Sequence, residues 1–131
     1  MCVNIADVTP WASGYLINAF TISFFFWHPG TSAAVNSIFL KEQPGPVATT
    51  HVYYQNESIA FEILAGATRT ITTTTNTLND DWHHIAAVFE EFDGTFSTMK
   101  IYLNGEIDTF DVITLGTAKT DHSNGNMYLG S

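Results

Sequence analysis

Apolar and polar residues alternate along most of this chain in short runs, and turn residues punctuate the runs. That period of two predicts strands, and no stretch carries the 3.6-residue repeat of an amphipathic helix. Phe20 to Trp27 is the first strong strand, with Phe20, Ile22, Phe24 and Phe26 on one face and Thr21, Ser23, Phe25 and Trp27 on the other. Both faces turn apolar towards its end, which predicts a central strand covered on both sides. His28-Pro29-Gly30 stops it.

Further strands are predicted at Ser37 to Lys41, Thr49 to Gln55, Ile59 to Leu64, and a polar, exposed one at Arg69 to Thr75. Trp82 to Phe89 follows, with Trp82, His84, Ala86 and Val88 on one face and His83, Ile85, Ala87 and Phe89 on the other. Ser97 to Leu103 and Glu106 to Ile113 flank Asn104-Gly105, a type I′ hairpin signal. Met127 to Leu129 is a last short strand, and Met1 to Asn18 holds a short strand or two with a loop.

Composition agrees with an all-β domain. The 131 residues fit one domain, 1–131, and ten phenylalanines with abundant threonine favour pleated, half-buried surfaces. Four basic residues against thirteen acidic ones give a formal charge of −9, which repels phosphate backbones and excludes nucleic acid as a natural partner. One cysteine, Cys2, rules out an internal disulfide. The apolar run Ala19 to Trp27 is too short to span a bilayer, and the N-terminus lacks the pattern of a secretory signal. A chain without membrane insertion is expected.

Three ordered runs resemble the laminin-G-like branch of the concanavalin A-like lectin/glucanase superfamily, which includes the pentraxin-like domains. They are FTISFFFW at Phe20 to Trp27, WHHIAAVF at Trp82 to Phe89, and KIYLNGE at Lys100 to Glu106, with MYLGS at the end. Phe25 stands where that family usually has tryptophan. The resemblance covers roughly residues 15 to 131, and Ser37-Ile38-Phe39 and Ile59-Ala60-Phe61 sit in the right order within it. It implies a two-sheet antiparallel jelly-roll sandwich that binds glycans or proteins. Family members usually continue past the Tyr-Leu-Gly run into a final strand. The expectation is therefore a sandwich lacking that strand, its open edge covered by another chain or another copy. The alternatives are that residues 1 to 18 close the fold differently, or that the chain is a fragment.

Candidate chemistry is sparse. His83 and His84 are adjacent on a strand and point to opposite faces, so they cannot chelate one metal. Glu106-Ile107-Asp108-Thr109-Phe110-Asp111 nearly matches the catalytic strand of laminarinase-like glucanases. However, Asp111 falls opposite Glu106 and Asp108 unless a bulge intervenes, and no catalytic residues are assigned. Oxygen donors cluster at Asn79, Asp80 and Asp81, and at Asp121, Asn124 and Asn126. Asp80, Asp81, Asp121 and Asn124 are the candidate calcium ligands, although turn chemistry explains them equally well. Trp11, Trp27, Tyr53 and Tyr54 are the candidate sugar-stacking rings.

Two function classes stay open. One is a glycan-binding or adhesion module, either stand-alone or part of an extracellular protein. The other is a structural or decoration unit on a virus or phage particle, contacting a glycan or protein surface and other chains of its assembly. Location outside the cell or on a virion surface is expected, and a glycoside hydrolase is a remote third reading.

Overall fold

The computed structural model describes residues 3–5, 19–43, 47–65, 67–75, 78, 80–91, 95–114 and 127–130. Among the described residues, ten strands form two antiparallel sheets and no helix occurs. In chain order they are β1 (Val3–Ile5), β2 (Ala19–Phe26), β3 (Asn36–Gln43), β4 (Val47–Gln55) and β5 (Ser58–Ala65), then β6 (Ala67–Thr72), β7 (His83–Glu91), β8 (Phe96–Leu103), β9 (Glu106–Thr114) and β10 (Met127–Leu129). The broad sheet runs β1-β10-β3-β4-β5-β6, and the narrow one β2-β7-β8-β9. The all-β sandwich is as the alternation implies, and β10 lies between β1 and β3, pairing antiparallel with both.

The core lies between the inner faces. Val52 opposite Phe61 and Tyr54 opposite Ile59 face in from the broad sheet. Ile85, Ala87 and Phe89 of β7 with Met99 and Ile101 of β8 face them from the narrow one, and all nine are buried. The Phe20 ring meets Phe61 edge-on at 6.1 Å and lies against Phe89 at 5.5 Å, so one aromatic cluster bridges the two sheets. β6 closes the side of the sandwich against β8 and β9. Ile71 is the buried residue of β6, while Thr68, Arg69, Thr70 and Thr72 are exposed, in keeping with its threonine-rich sequence.

One expectation does not hold. Phe20 to Trp27 is not a central strand covered on both sides: β2 lies at the edge of the narrow sheet, bonded among the described residues to β7 alone. Its outer residues face solvent, with Phe25 73% and Trp27 46% exposed. A strand apolar on both faces reads as doubly buried, but here the second apolar face lies on the surface of the sandwich.

Two hairpins use residues with positive φ. Asn104 (φ 52°) and Gly105 (φ 89°) turn β8 into β9, as the Asn-Gly signal predicts. Asn56 (φ 50°) and Glu57 (φ 62°) do the same between β4 and β5. Glutamate has no local means of relieving the left-handed conformation, whereas glycine enters it without a Cβ clash. Glu57→Gly is therefore expected to stabilise the fold by about 1 kcal/mol, read as a higher urea midpoint with an unchanged m value.

Candidate functional site

Among the described residues, the outer face of the narrow sheet carries the most exposed aromatic side chains. Register builds it: Phe25 of β2 lies opposite His84 of β7, and Ser23 opposite Ala86. Continuing the pairing by one position brings Trp27 to Trp82, just before β7. Their ring centroids are 6.5 Å apart, and Trp82 is 65% exposed. The Phe25 ring lies 5.1 Å from that of His84, which is fixed in turn by a 2.8 Å hydrogen bond between its Nε2 and Ser23 Oγ. Three large rings with little cover, edged by an imidazole and a hydroxyl, form a platform at one corner of the sandwich. Burying them would be favourable, and so large an exposed apolar group marks a contact surface.

Two loops hold the corner in place. The 28–30 turn leaves β2 beneath the platform, and the 80–82 turn enters β7. The Asp80 amide donates to the His28 carbonyl at 2.8 Å, and Asp80 Oδ1 accepts from the Gly30 amide at 3.1 Å. Asp80 sits at φ 60°, a region aspartate tolerates better than most residues. Asp81 Oδ1 accepts the Trp82 amide at 2.8 Å, which orients the backbone that carries the indole. Asn104 pins the other side of β7: its Oδ1 accepts from the His84 amide at 2.9 Å, and its own amide donates to the His84 carbonyl at 2.8 Å.

The sequence-predicted stacking residues do not come together. Trp27 belongs to the platform. Tyr53 lies on the outer face of the other sheet, its ring 4.6 Å from that of His51. Tyr54 is a correction: it is fully buried and cannot offer a face to a ligand, because parity turns it into the core opposite Ile59. Its hydroxyl donates to the Gly30 carbonyl at 3.2 Å, and burial raises its pKa, keeping it a donor. It thus supports the platform from below. Trp11 lies outside the described residues.

Of the candidate calcium ligands, Asp80 and Asp81 each commit one carboxylate oxygen to a turn hydrogen bond, and Asp121 and Asn124 lie outside the described residues. Among the described residues no group of three or more His, Cys, Asp or Glu side chains is placed to hold a metal. Phe25, Trp82, Ser23 and His84 are the members that sequence reasoning does not single out. Parity puts Trp82 and His84 on one face, but the register that brings them to β2 is written in neither segment.

The acidic run on β9 contains the bulge that strand parity alone leaves open. Ile101 pairs with Thr109 and Tyr102 with Ile107, so Asp108 is the extra residue. The bulge restores Glu106 and Asp111 to one side, and it leaves Asp108 without a register partner on β8. Its carboxylate accepts from the Thr74 amide (2.6 Å) and from the Thr75 hydroxyl (2.7 Å), fastening the loop after β6.

On the outer face of the broad sheet, Ser37 Oγ lies 2.9 Å from His51 Nε2, and Glu62 Oε2 3.6 Å from His51 Nδ1. Burial lowers the His51 pKa below its ordinary 6.5, and Glu62 offsets only part of that. The unfolded chain therefore binds the proton more readily than the fold does. Stability from this group is present above 6.5 and is lost as pH falls through the lowered folded value. His51→Gln should flatten the loss of urea resistance between about pH 7 and about pH 5 relative to the parent protein.

Comparison with known proteins agrees with this architecture. The family model of the laminin-G type, described as the concanavalin A-like lectin/glucanases superfamily, matches residues 5–131. The chain belongs to that superfamily. No curated protein matches it. Among solved structures, the binding domain of Paraclostridial mosquitocidal protein 1 superposes with a TM-score of 0.67 at 13% identity, covering 98% of this chain and 32% of that one. Botulinum neurotoxin type C gives 0.62 at 15%, covering 98% and 31%, and mouse laminin α1 domains LG4-5 give 0.62 at 12%, covering 98% and 31%. This superfamily member thus spans about a third of each of those chains, and at such low identity they show the fold alone. Its fold is lectin-like. No helix among its described residues is long and apolar enough to cross a membrane.

Proposed function

We propose that this chain is a non-catalytic adhesion module that binds neutral glycans on an outer surface, using Phe25, Trp27 and Trp82 as the stacking platform. The carrying observation is the joint exposure of those three rings, 73%, 46% and 65%, at one corner held by two hydrogen-bonded turns. A flat aromatic face suits the apolar face of a pyranose. His84, fixed by Ser23, and the free oxygens of Asp80 and Asp81 stand ready for its hydroxyls. The −9 charge selects against sialylated and sulfated sugars and so points to neutral ones. Botulinum neurotoxin type C, which shares the fold, enters cells through interaction with two ganglioside molecules, so the scaffold supports glycan contact elsewhere.

The test is a glycan array carrying neutral, sialylated and sulfated structures. Saturable binding to neutral glycans is expected, weakened about tenfold by Trp82→Ala, which corresponds to about 1.4 kcal/mol. Chelation with EDTA separates stacking, which survives it, from a calcium-bridged mode through Asp80 and Asp81. Unchanged binding by a Trp27→Ala, Trp82→Ala double variant would sink the proposal.

A further inference from the structure

The described strands leave four sheet edges, and they are not equally guarded. β1 is three residues long, and β6 carries Arg69 and a row of threonines. β9 carries Glu106, Asp108 and Asp111, a bulge, and the loop that Asp108 fastens beside it. Charges, bulges, shortness and covering loops are the devices that keep edges from pairing with other chains. Among the described residues β2 has none of them. It is eight residues, AFTISFFF, without charge or proline, and its ladder to β7 runs without a register shift. A groove of about 370 Å³ opens at its start, lined by Ala19, Phe20, Thr21, Val88, Phe89 and Glu90.

We propose that β2 is a homodimer interface. Thr21–Phe25 pairs antiparallel with the same residues of a second copy about a two-fold axis at Ser23, joining two four-stranded sheets into one of eight. Directly opposite residues must share a face, which for a strand paired with itself requires an even register sum. Centring on Ser23 meets that condition. It sets Ile22 against the partner's Phe24 on the inner side and Thr21 against the partner's Phe25 on the outer side. Both are pairs of the aromatic and β-branched kind that stabilise sheets. A second copy is favoured as occupant because the strand is uncharged along its whole length. Two chains of charge −9 can therefore meet there without placing like charges opposite each other. Both aromatic platforms would then lie on one face of the joined sheet, one at each end of the seam. The two-platform consequence rests on the proposed glycan reading; the dimer does not.

Sedimentation of the full chain without glycan is expected to show a monomer shifting to dimer mass as concentration rises. Ser23→Lys, which sets two ammonium groups opposite each other, should abolish the dimer while circular dichroism reports an intact fold. In a Cys2→Ser background, Ser23→Cys should form an intermolecular disulfide under mild oxidation, and Thr21→Cys should not, because Thr21 faces the partner's Phe25, four positions along the strand from the partner's Thr21. The cysteine pair decides the matter even where the lysine variant fails to fold. A wild-type chain that stays monomeric at its highest soluble concentration overturns the proposal and leaves β2 to an extended segment of another protein. A dimer that survives Ser23→Lys without Ser23→Cys crosslinking places the interface elsewhere and overturns it too. Substituting Trp82 leaves the dimer unchanged, so the two proposals fail separately.

Discussion

Phe61→Ala is expected to remove about 3–5 kcal/mol of stability, the largest single loss in the protein. Phe61 is fully buried at the centre of β5, opposite Val52 on one side and Ile71 on the other. It also receives the edge of the Phe20 ring from the narrow sheet, which in turn stacks near Phe89. Truncation removes the transfer energy of the ring and leaves a cavity that two hydrogen-bonded sheets cannot collapse to fill. A domain of this size is stable by about 5–15 kcal/mol, so the variant sits close to the unfolding threshold at room temperature. Urea unfolding monitored by tryptophan fluorescence measures it as a lower midpoint at constant m. Phe61→Leu, which retains most of the volume, should recover more than half of the loss. If leucine and alanine cost the same, filled volume is not what Phe61 contributes.

Parity is the part of this fold that the sequence states outright. In WHHIAAVF each side chain lies where alternation puts it: Ile85, Ala87 and Phe89 inside, His84, Ala86 and Val88 outside. The histidine pair is split as predicted, with His84 bonded to Ser23 and His83 turned toward Asn104. Which face of a strand is covered is a different matter. Phe25 and Phe24 are chemically identical neighbours, and only the bare outer face of the narrow sheet leaves one in solvent. The same holds for Tyr53 and Tyr54, adjacent rings of which the sheet buries one. A platform such as Trp27 with Trp82 needs the register between two segments 55 positions apart, a tertiary fact that neither segment encodes alone. The bulge at Asp108 is equally invisible, since a one-residue slip leaves no trace in composition.

Asp108→Ala is expected to cost about 2–3 kcal/mol, the second largest effect, because it strips acceptors from several donors at once. The carboxylate takes the Thr74 amide on Oδ2 at 2.6 Å and the Thr74 hydroxyl at 3.2 Å, with the Thr75 hydroxyl on Oδ1 at 2.7 Å. These bonds tie the loop after β6 to the middle of β9, where the bulge leaves Asp108 without a register partner. Bonds to an ionised acceptor are worth more than neutral ones, but partial exposure of this group holds the total below their simple sum. Asp108→Asn keeps one carbonyl acceptor and turns an NH₂ toward the remaining donors, so it should lose a large part of the same energy. A catalytic carboxylate behaves in the opposite way: neutralising an activated, poorly solvated acid commonly stabilises a fold while abolishing turnover. Thermal and urea unfolding of the asparagine variant thus tests the reading of this run directly. A lower midpoint identifies Asp108 as the fastening of a loop, and a higher one would return the Glu106–Asp111 strand to consideration as a glucanase-like site.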